Sequence, residues 1–184
     1  HGSGRSRGWL RLCVPMNLRT PAQDQLPAAN VVSMVFLDRR DGDLQDPPRL
    51  LASIHDQMQQ IKRLQLGPAF VHSVGLCRRV PGLLEHLCGA RRCLSTVVFT
   101  NLGILFSRGS WAGHHGRVAV DGMVLQDLDV LAPLRPLTCA AFAVWSYARR
   151  LCCTLHYDSR VLAAGPATEL IDEFFGSILR AKSA

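Results

Sequence analysis

Ser95-Thr-Val-Val-Phe-Thr-Asn-Leu-Gly103 is the stretch from which we interpret the fold of this 184-residue chain. β-Branched and aromatic residues run from Thr96 to Thr100 without interruption, which predicts a buried strand. Asn101 and Gly103 are expected to end that strand, so a polar amide lies at the mouth of an apolar strand. Such an amide either closes a turn through its own backbone or lines a ligand channel, and the local sequence leaves both roles open.

The composition is that of a single domain with a substantial core. Hydrophobic residues make up 48% of the chain, and 184 residues are too few for two ordinary domains. No apolar run approaches the roughly 18 to 20 residues of a membrane-spanning helix, and no signal-peptide core is present. We expect a soluble cytoplasmic protein in which residues 1–8 are disordered or a cloning remnant and residues 9–184 form one domain.

Cysteine number and charge exclude some classes of function. Seven cysteines are an odd number in mostly apolar segments, which favours reduced thiols, and their spacing predicts no metal site. The net charge of +7 comes mainly from arginines in scattered pairs, without a basic stripe or interleaved aromatic residues. This pattern argues against nucleic-acid binding and fits a phosphorylated substrate or an acidic carrier protein.

Hydrophobic periodicity along the rest of the chain predicts an α/β fold with a mixed β-sheet covered by helices. The other strands are predicted at 9–17, 31–37, 117–120, 137–147 and 150–157. A hairpin turn is predicted at Asp121-Gly122 and another at Ala148-Arg149, and strand 137–147 is expected to be covered on both faces. Helices are predicted at 47–64 behind an Asp46 N-cap, at 69–77, at 81–88 and from Pro166 onward. Asp38 to Asp46 is expected to be a solvated loop, and Gly67-Pro68 is expected to stop the first helix. His55 and Gln57 lie off the apolar stripe of that helix and are expected to be solvated.

The candidate catalytic group is the pair His114-His115. No Gly-rich phosphate loop, serine elbow or paired-carboxylate motif is present. The histidine pair and Asp121-Gly122 resemble an acyltransferase signature, His-His-x-x-x-Asp-Gly, whose second histidine is the general base. Here five residues intervene instead of three, and two additional residues displace the aspartate by about 6 to 7 Å in an extended chain. We therefore interpret the pair as ordinary loop residues, with His115 as base of an autonomous enzyme kept as an alternative.

The order of several short motifs resembles the C-terminal half of the chloramphenicol-acetyltransferase-like enzymes. That group includes condensation domains, alcohol acetyltransferases and the wax ester synthase/diacylglycerol acyltransferase family. The motifs cover most of residues 9–182 and are Val14-Pro-Met-Asn-Leu-Arg19, Asn30 before an apolar strand, Val97-Val-Phe-Thr-Asn-Leu-Gly103, Trp145-Ser-Tyr147 and Leu155-His-Tyr-Asp158.

The resemblance implies one half of a two-lobed, CoA-dependent acyltransferase-like fold. In such enzymes two similar lobes enclose a tunnel, and the active histidine belongs to the N-terminal lobe. The substrate tunnel is then lined by Asn101, Gly103 and Asn30, although Leu102 and a missing proline depart from the family's Asn-Val-Pro-Gly-like segment. Arg19 and Asp158 match structural motif positions, and Asp24 is the expected partner of Arg19.

We therefore expect the C-terminal lobe of a transferase that moves an acyl group from a CoA or carrier-protein thioester to an alcohol or amine. The lobe supplies no catalytic residue, holds no tightly bound cofactor and is expected to be inactive alone. Its expected partners are the N-terminal lobe, the acyl thioester and an acyl carrier protein. The alternative is a non-catalytic carrier-protein or protein-interaction module of the same fold.

Overall fold

A computed structural model of the chain describes residues 8–20, 31–89, 93–107 and 116–182. The chain divides into two compact units, His1–Thr96 and Val97–Ala184. Both units contain strands and helices, so the predicted α/β class is confirmed. None of the helices within the described ranges is long and apolar enough to cross a bilayer.

The first unit begins with an antiparallel pair of strands, β1 (Trp9–Asn17) and β2 (Val32–Arg40). The predicted strand at 9–17 is confirmed, but β2 continues through Arg40, where we expected a solvated loop. Strand β2 is longer because of a contact with the neighbouring strand, where Asp38 lies opposite Arg11. The guanidinium of Arg11 donates to both carboxylate oxygens of Asp38 at 2.6 Å. A cross-strand ion pair of this kind keeps a charged segment in the sheet.

Helix α1 (Pro47–Arg63) packs its apolar stripe on this pair of strands. Its start is the predicted one, since the Asp46 side chain accepts a hydrogen bond from the Arg49 N–H at 3.1 Å and Pro47 needs no partner for its nitrogen. The buried residues at the contact are Val35, Leu37 and Ile61. Around them lie the half-buried side chains Leu12, Val14, Met16, Ile54 and Met58.

Gly67 does not stop the first helix, contrary to the prediction. Helix α1 ends at Arg63, and helix α2 (Leu66–Cys77) already includes Gly67 in its first turn. The buried Gly67 packs closely against the side-chain ends of Met16 and Leu18, which a Cβ at this position would displace. Its carbonyl also accepts a 2.6 Å hydrogen bond from the hydroxyl of the fully buried Ser33. The helix predicted at 69–77 is thus confirmed with an earlier start, and α3 (Leu83–Gly89) follows it.

Gln57 is half-buried rather than solvated. Its side-chain oxygen accepts a hydrogen bond from the Arg39 guanidinium at 2.9 Å, which links α1 to the end of β2. His55 is exposed, as predicted. Gln57 and His55 differ in exposure because Arg39, at the charged end of β2, contacts the side of α1 that bears Gln57.

The second unit contains a mixed sheet. Strand β3 (Val97–Ile104) runs parallel to β6 (Ala140–Tyr147), which pairs antiparallel with β7 (Arg150–Tyr157). The predicted β6–β7 hairpin turns at Ala148 and Arg149, whose φ angles of 48° and 62° suit the right-handed twist of paired strands. A smaller hairpin, β4 (Ala119–Val120) and β5 (Met123–Val124), turns at Asp121-Gly122 as predicted.

Strand β6 is covered on both faces, as its sequence predicted. On one face the Phe174 ring of helix α4 (Ala164–Lys182) lies 5.6 Å from the Phe142 ring and 6.1 Å from the Phe99 ring, centroid to centroid. On the other face the hydroxyl of the buried Tyr147 donates to the Leu125 carbonyl at 2.6 Å and accepts from the Val118 N–H at 3.2 Å. The small β4–β5 hairpin is therefore tied to the sheet by one phenol.

The first unit offers a direct test of the α1 contact. Ile61→Ala removes a side chain that is only 6% exposed, and we expect it to lower the free energy of unfolding by about 2 to 5 kcal/mol. Leu51→Ala is the matched control, because Leu51 lies on the same helix and is 70% exposed. It should change stability by no more than about 0.5 kcal/mol. Urea denaturation followed by circular dichroism measures both, and equal losses would contradict the observed orientation of α1.

Candidate functional site

The candidate site is an irregularity at the carboxyl end of β3. Asn101 is in register with Val144 and Ile104 with Ser146, so two residues of β3 stand opposite the single residue Trp145. This is a β-bulge, and Gly103 within it adopts a left-handed conformation, with φ of 69°. Because β3 and β6 are parallel, the bulge lies at the edge where open α/β sheets usually bind ligands.

Asn101 holds the bulge in shape. Its side-chain oxygen accepts a hydrogen bond from the Gly103 N–H at 2.9 Å, which is the turn-closing role that the sequence left open. The strand resumes beyond the bulge, where the Leu105 N–H donates to the Ser146 carbonyl at 2.9 Å. A contact from Asn101 to a bound molecule would therefore come from its amide NH2 group. The expected end of the strand at Asn101 and Gly103 is thus a bulge within a longer strand.

The side chains around the bulge are apolar and accessible. Leu102 is 42% exposed and Ile104 is 68% exposed, whereas Val98 at the beginning of the same strand is buried. Phe106 lies against the Tyr147 ring at 6.1 Å between centroids and is itself partly exposed. The outer half of β3 thus presents an apolar edge beside the polar Asn101.

Trp145, opposite the bulge, carries a buried donor without an acceptor. The residue is 1% exposed, and its indole N–H has no hydrogen-bond partner within the described part of the chain. Leaving such a donor unpaired costs roughly 1 to 3 kcal/mol. The sequence placed Trp145 in a motif of this strand without a role for its indole N–H, since no linear pattern shows which buried donors lack a partner.

An extended segment, residues 125–132, lies over the face of β7 that bears Thr154 and His156. The Thr154 hydroxyl donates to the Val130 carbonyl, and the His156 Nδ1 lies 3.0 Å from the Ala132 carbonyl oxygen. Arg150 pairs with Asp127 at the beginning of the segment. These polar side chains serve the backbone of the segment, so they have structural partners. Sequence reasoning missed this segment because it has no periodic pattern.

Several predicted site residues lie elsewhere. Asn30, Asp24 and His115 fall outside the described residues, so the roles predicted for them stay predictions. The Arg19 N–H donates to the Asn17 side-chain oxygen at 2.9 Å, which closes a turn at the end of β1. Of the residues predicted to line a tunnel, Asn101 and Gly103 are the two that the structure brings into direct contact.

Asp158, directly after β7, is held by local contacts. Its N–H donates to the Cys139 carbonyl at 3.0 Å, at the beginning of β6 and away from the bulge. Its carboxylate receives two hydrogen bonds from the Arg160 guanidinium, at 2.9 and 2.7 Å, and one from the Arg160 N–H. These hydrogen bonds, chiefly the side-chain ones, lower the pKa of Asp158 from 3.8 to about 2.

The first unit has an open cavity of about 400 Å³. It is lined by Trp9, Arg11, Asp38, Cys93, Ser95 and Thr96. Arg11 and Asp38 neutralise each other inside it, and the hydrogen bonds from Arg11 lower the pKa of Asp38. No group of histidine, cysteine or acidic side chains in the described ranges could hold a metal ion. The cavity therefore offers a compensated ion pair and the thiol of Cys93, which donates to the Ser95 carbonyl at 3.2 Å.

Comparison of the chain with family models, with curated proteins and with solved structures gave no match. The resemblance to acyltransferases therefore rests on the motifs themselves.

Asp158 predicts a specific pH dependence of stability. A carboxyl whose folded pKa is lowered to about 2 stabilises the fold fully above its unfolded pKa of about 4 and loses that contribution as the pH falls through 2. Asp158→Asn should therefore flatten the loss of melting temperature between about pH 4 and about pH 2. Asp56→Asn, at an exposed position of α1, is the control and should keep the wild-type slope. A profile for Asp158→Asn that parallels the wild type would contradict the assigned role of the Arg160 contact.

Proposed function

We propose that this chain is the C-terminal lobe of an acyltransferase that transfers an acyl group from a CoA or carrier-protein thioester to an alcohol or amine. The observation that carries the proposal is the bulge at Asn101-Leu102-Gly103 on the carboxyl edge of parallel strands. It coincides with the tunnel-side asparagine and glycine that the motif resemblance implies. The α/β architecture with a mixed sheet is compatible with such a lobe.

The surroundings of the bulge suit an acyl thioester. Binding sites for small molecules are mostly apolar, with a few polar groups that fix orientation. Leu102 and Ile104 supply an accessible apolar edge for the acyl portion, and the Asn101 amide supplies a polar group beside it. The net charge of +7 favours the phosphates of CoA or an acidic carrier protein.

The chemical step follows from this division of roles. A histidine of the N-terminal lobe removes the proton from the acceptor hydroxyl or amine, and the acceptor attacks the thioester carbonyl. The tetrahedral intermediate collapses with departure of the thiolate, which takes up a proton to become the free thiol. This lobe contributes the tunnel wall and orients the thioester, so a polar donor at the bulge acts by positioning.

His115 is not the base in this proposal. The motif spacing differs from the acyltransferase signature, and the described part of the region gives Asp121 another role. Asp121 occupies the turn of the β4–β5 hairpin with φ of 48°, next to Gly122 with φ of 80°. An aspartate used for such a turn fits an ordinary hairpin.

The proposal is tested in the full-length protein with two matched substitutions. Asn101 and Asn17 each accept a hydrogen bond from the N–H two residues later at 2.9 Å, so both alanine variants lose the same turn contact. We expect Asn101→Ala to lower kcat for acyl-CoA consumption at least tenfold, about 1.4 kcal/mol in barrier height. Asn17→Ala should leave kcat within about threefold, and both should lower the melting temperature by similar small amounts.

Two outcomes would contradict the proposal. Equal effects of the two substitutions on turnover would show that Asn101 only closes a turn. Absence of acyl transfer by the wild-type protein, tested with acyl-CoA and with acyl-carrier thioesters, would favour the alternative of a non-catalytic interaction module. Thiol release is best followed by chromatography of the CoA product, because free cysteines are present in the protein.

A further inference from the structure

Strand β7 is the outer edge of the sheet in the second unit. It lies at the end of the strand order and pairs only with β6 among the described residues. Its sequence, Arg150-Leu-Cys-Cys-Thr-Leu-His-Tyr157, is rich in residues that favour strands and contains no proline or lysine. Its pairing with β6 has no bulge. Natural edge strands usually carry a proline, a bulge or several charges against pairing with another chain. Strand β7 has a single formal charge, Arg150 at its first residue, so it is suited to accept a partner strand.

The register of the hairpin fixes which backbone groups face outward. The Asp158 N–H donates to the Cys139 carbonyl, and pairs in an antiparallel ladder alternate between hydrogen-bonded and non-hydrogen-bonded. Even-numbered residues of β7 therefore direct their N–H and C=O groups to β6. The residues that direct these groups away from the sheet are Leu151, Cys153, Leu155 and Tyr157.

We propose that β7 pairs antiparallel with β7 of a second copy of this chain, about a two-fold axis at Thr154. Leu151 then stands opposite Tyr157 of the second copy, and Cys153 opposite Leu155. Each of these pairs exchanges both of its N–H···O=C bonds, since all four residues face outward. The pairing is isologous and closes on itself, so it ends at a dimer.

Charge selects this register over its neighbours. With the axis at Thr154, Arg150 stands opposite Asp158 of the second copy. A shift of the axis to Cys153 would place Arg150 opposite His156, and a shift to Leu155 would place it opposite Arg160. Arg150 already pairs with Asp127, and Asp158 with Arg160. The chosen register therefore lines up four charges of alternating sign at each end of the interface, which favours it over registers with like charges opposed.

The same charges indicate that the strand paired with β7 comes from another copy of this chain. A strand from an unrelated protein could satisfy the outward backbone groups equally well. It would need a carboxylate opposite Arg150 and a cation opposite Asp158, at the spacing that β7 itself provides. The charges of Arg150 and Asp158 are therefore complementary to those of a second copy in antiparallel pairing.

Sedimentation velocity with the full chain under reducing conditions tests the pairing. About 150 mM salt is needed, since the net charge of +7 repels a second copy. We expect the wild type to be dimeric at about 100 µM and Arg150→Glu to raise the dimer dissociation constant at least tenfold. Arg149→Glu is the matched control, because it makes the same charge change in the exposed turn just outside the paired residues. It should leave the dissociation constant within about threefold.

A second variant tests the backbone pairing itself. Cys153→Pro removes one outward N–H and leaves the ladder with β6 complete, so it should give a monomer with the wild-type circular dichroism spectrum. A monomeric wild type at this concentration would overturn the proposal. So would equal effects of the two glutamate substitutions, or a dimer that persists in folded Cys153→Pro.

Discussion

The second unit depends on the burial of β6 on both faces. Ala140, Ala141 and Ala143 are fully buried, and their small side chains let other elements approach the strand closely. Aromatic rings of α4 fill one side, and the extended segment from the β4–β5 hairpin covers the other. Larger residues at these alanines would push both layers away, because packed interiors have little free volume. The strand is therefore the element on which the covering layers and the bulge of β3 are built.

Covering a sheet with an extended segment creates a backbone problem that β6 and β7 solve with polar side chains. An extended segment cannot satisfy its own N–H and C=O groups, and leaving them buried without partners is costly. Tyr147, Thr154 and His156 supply partners at Val118, Leu125, Val130 and Ala132. Polar residues within an otherwise apolar hairpin thus serve the covering segment. Trp145 differs from these residues, because its indole N–H has no partner among the described residues. It lies opposite the bulge and so links the core to the candidate site.

The sequence alone was sufficient to predict the elements that are indicated by residues close to one another in the chain. The Asp46 cap, the two hairpin turns and the two-sided burial of β6 were all predicted, because neighbouring residues in the sequence indicate each of them. The wrong predictions involve distant partners. Asp38 is in a strand because of Arg11, which is 27 residues away, and Gln57 is half-buried because of Arg39. Gly67 lies in the first turn of α2, where it packs against Met16 and accepts a hydrogen bond from Ser33. Local sequence does not show either contact, so the glycine was interpreted as a helix stop.

Prediction of the candidate site from the sequence is limited in the same way, by contacts between distant residues. A glycine two residues after an asparagine predicts a turn, and the turn is present. That the chain then re-enters the sheet, and so forms a bulge opposite Trp145, depends on the register with β6. The buried indole donor and the outward groups of β7 also follow from register. Local sequence therefore indicated which residues belong to the site, and pairing between strands determined its shape.

Native-state hydrogen exchange measures most directly whether β6 is the element that holds the second unit together. Each backbone amide from Ala141 to Trp145 lies in a ladder with β3 or β7, so these amides should exchange only through global unfolding, with free energies equal to that from denaturant titration. The amides of Leu102 in the bulge and Val124 in the small hairpin should exchange through local openings of lower free energy. Exchange of the β6 amides at the rate of Leu102 would contradict the central role assigned to this strand.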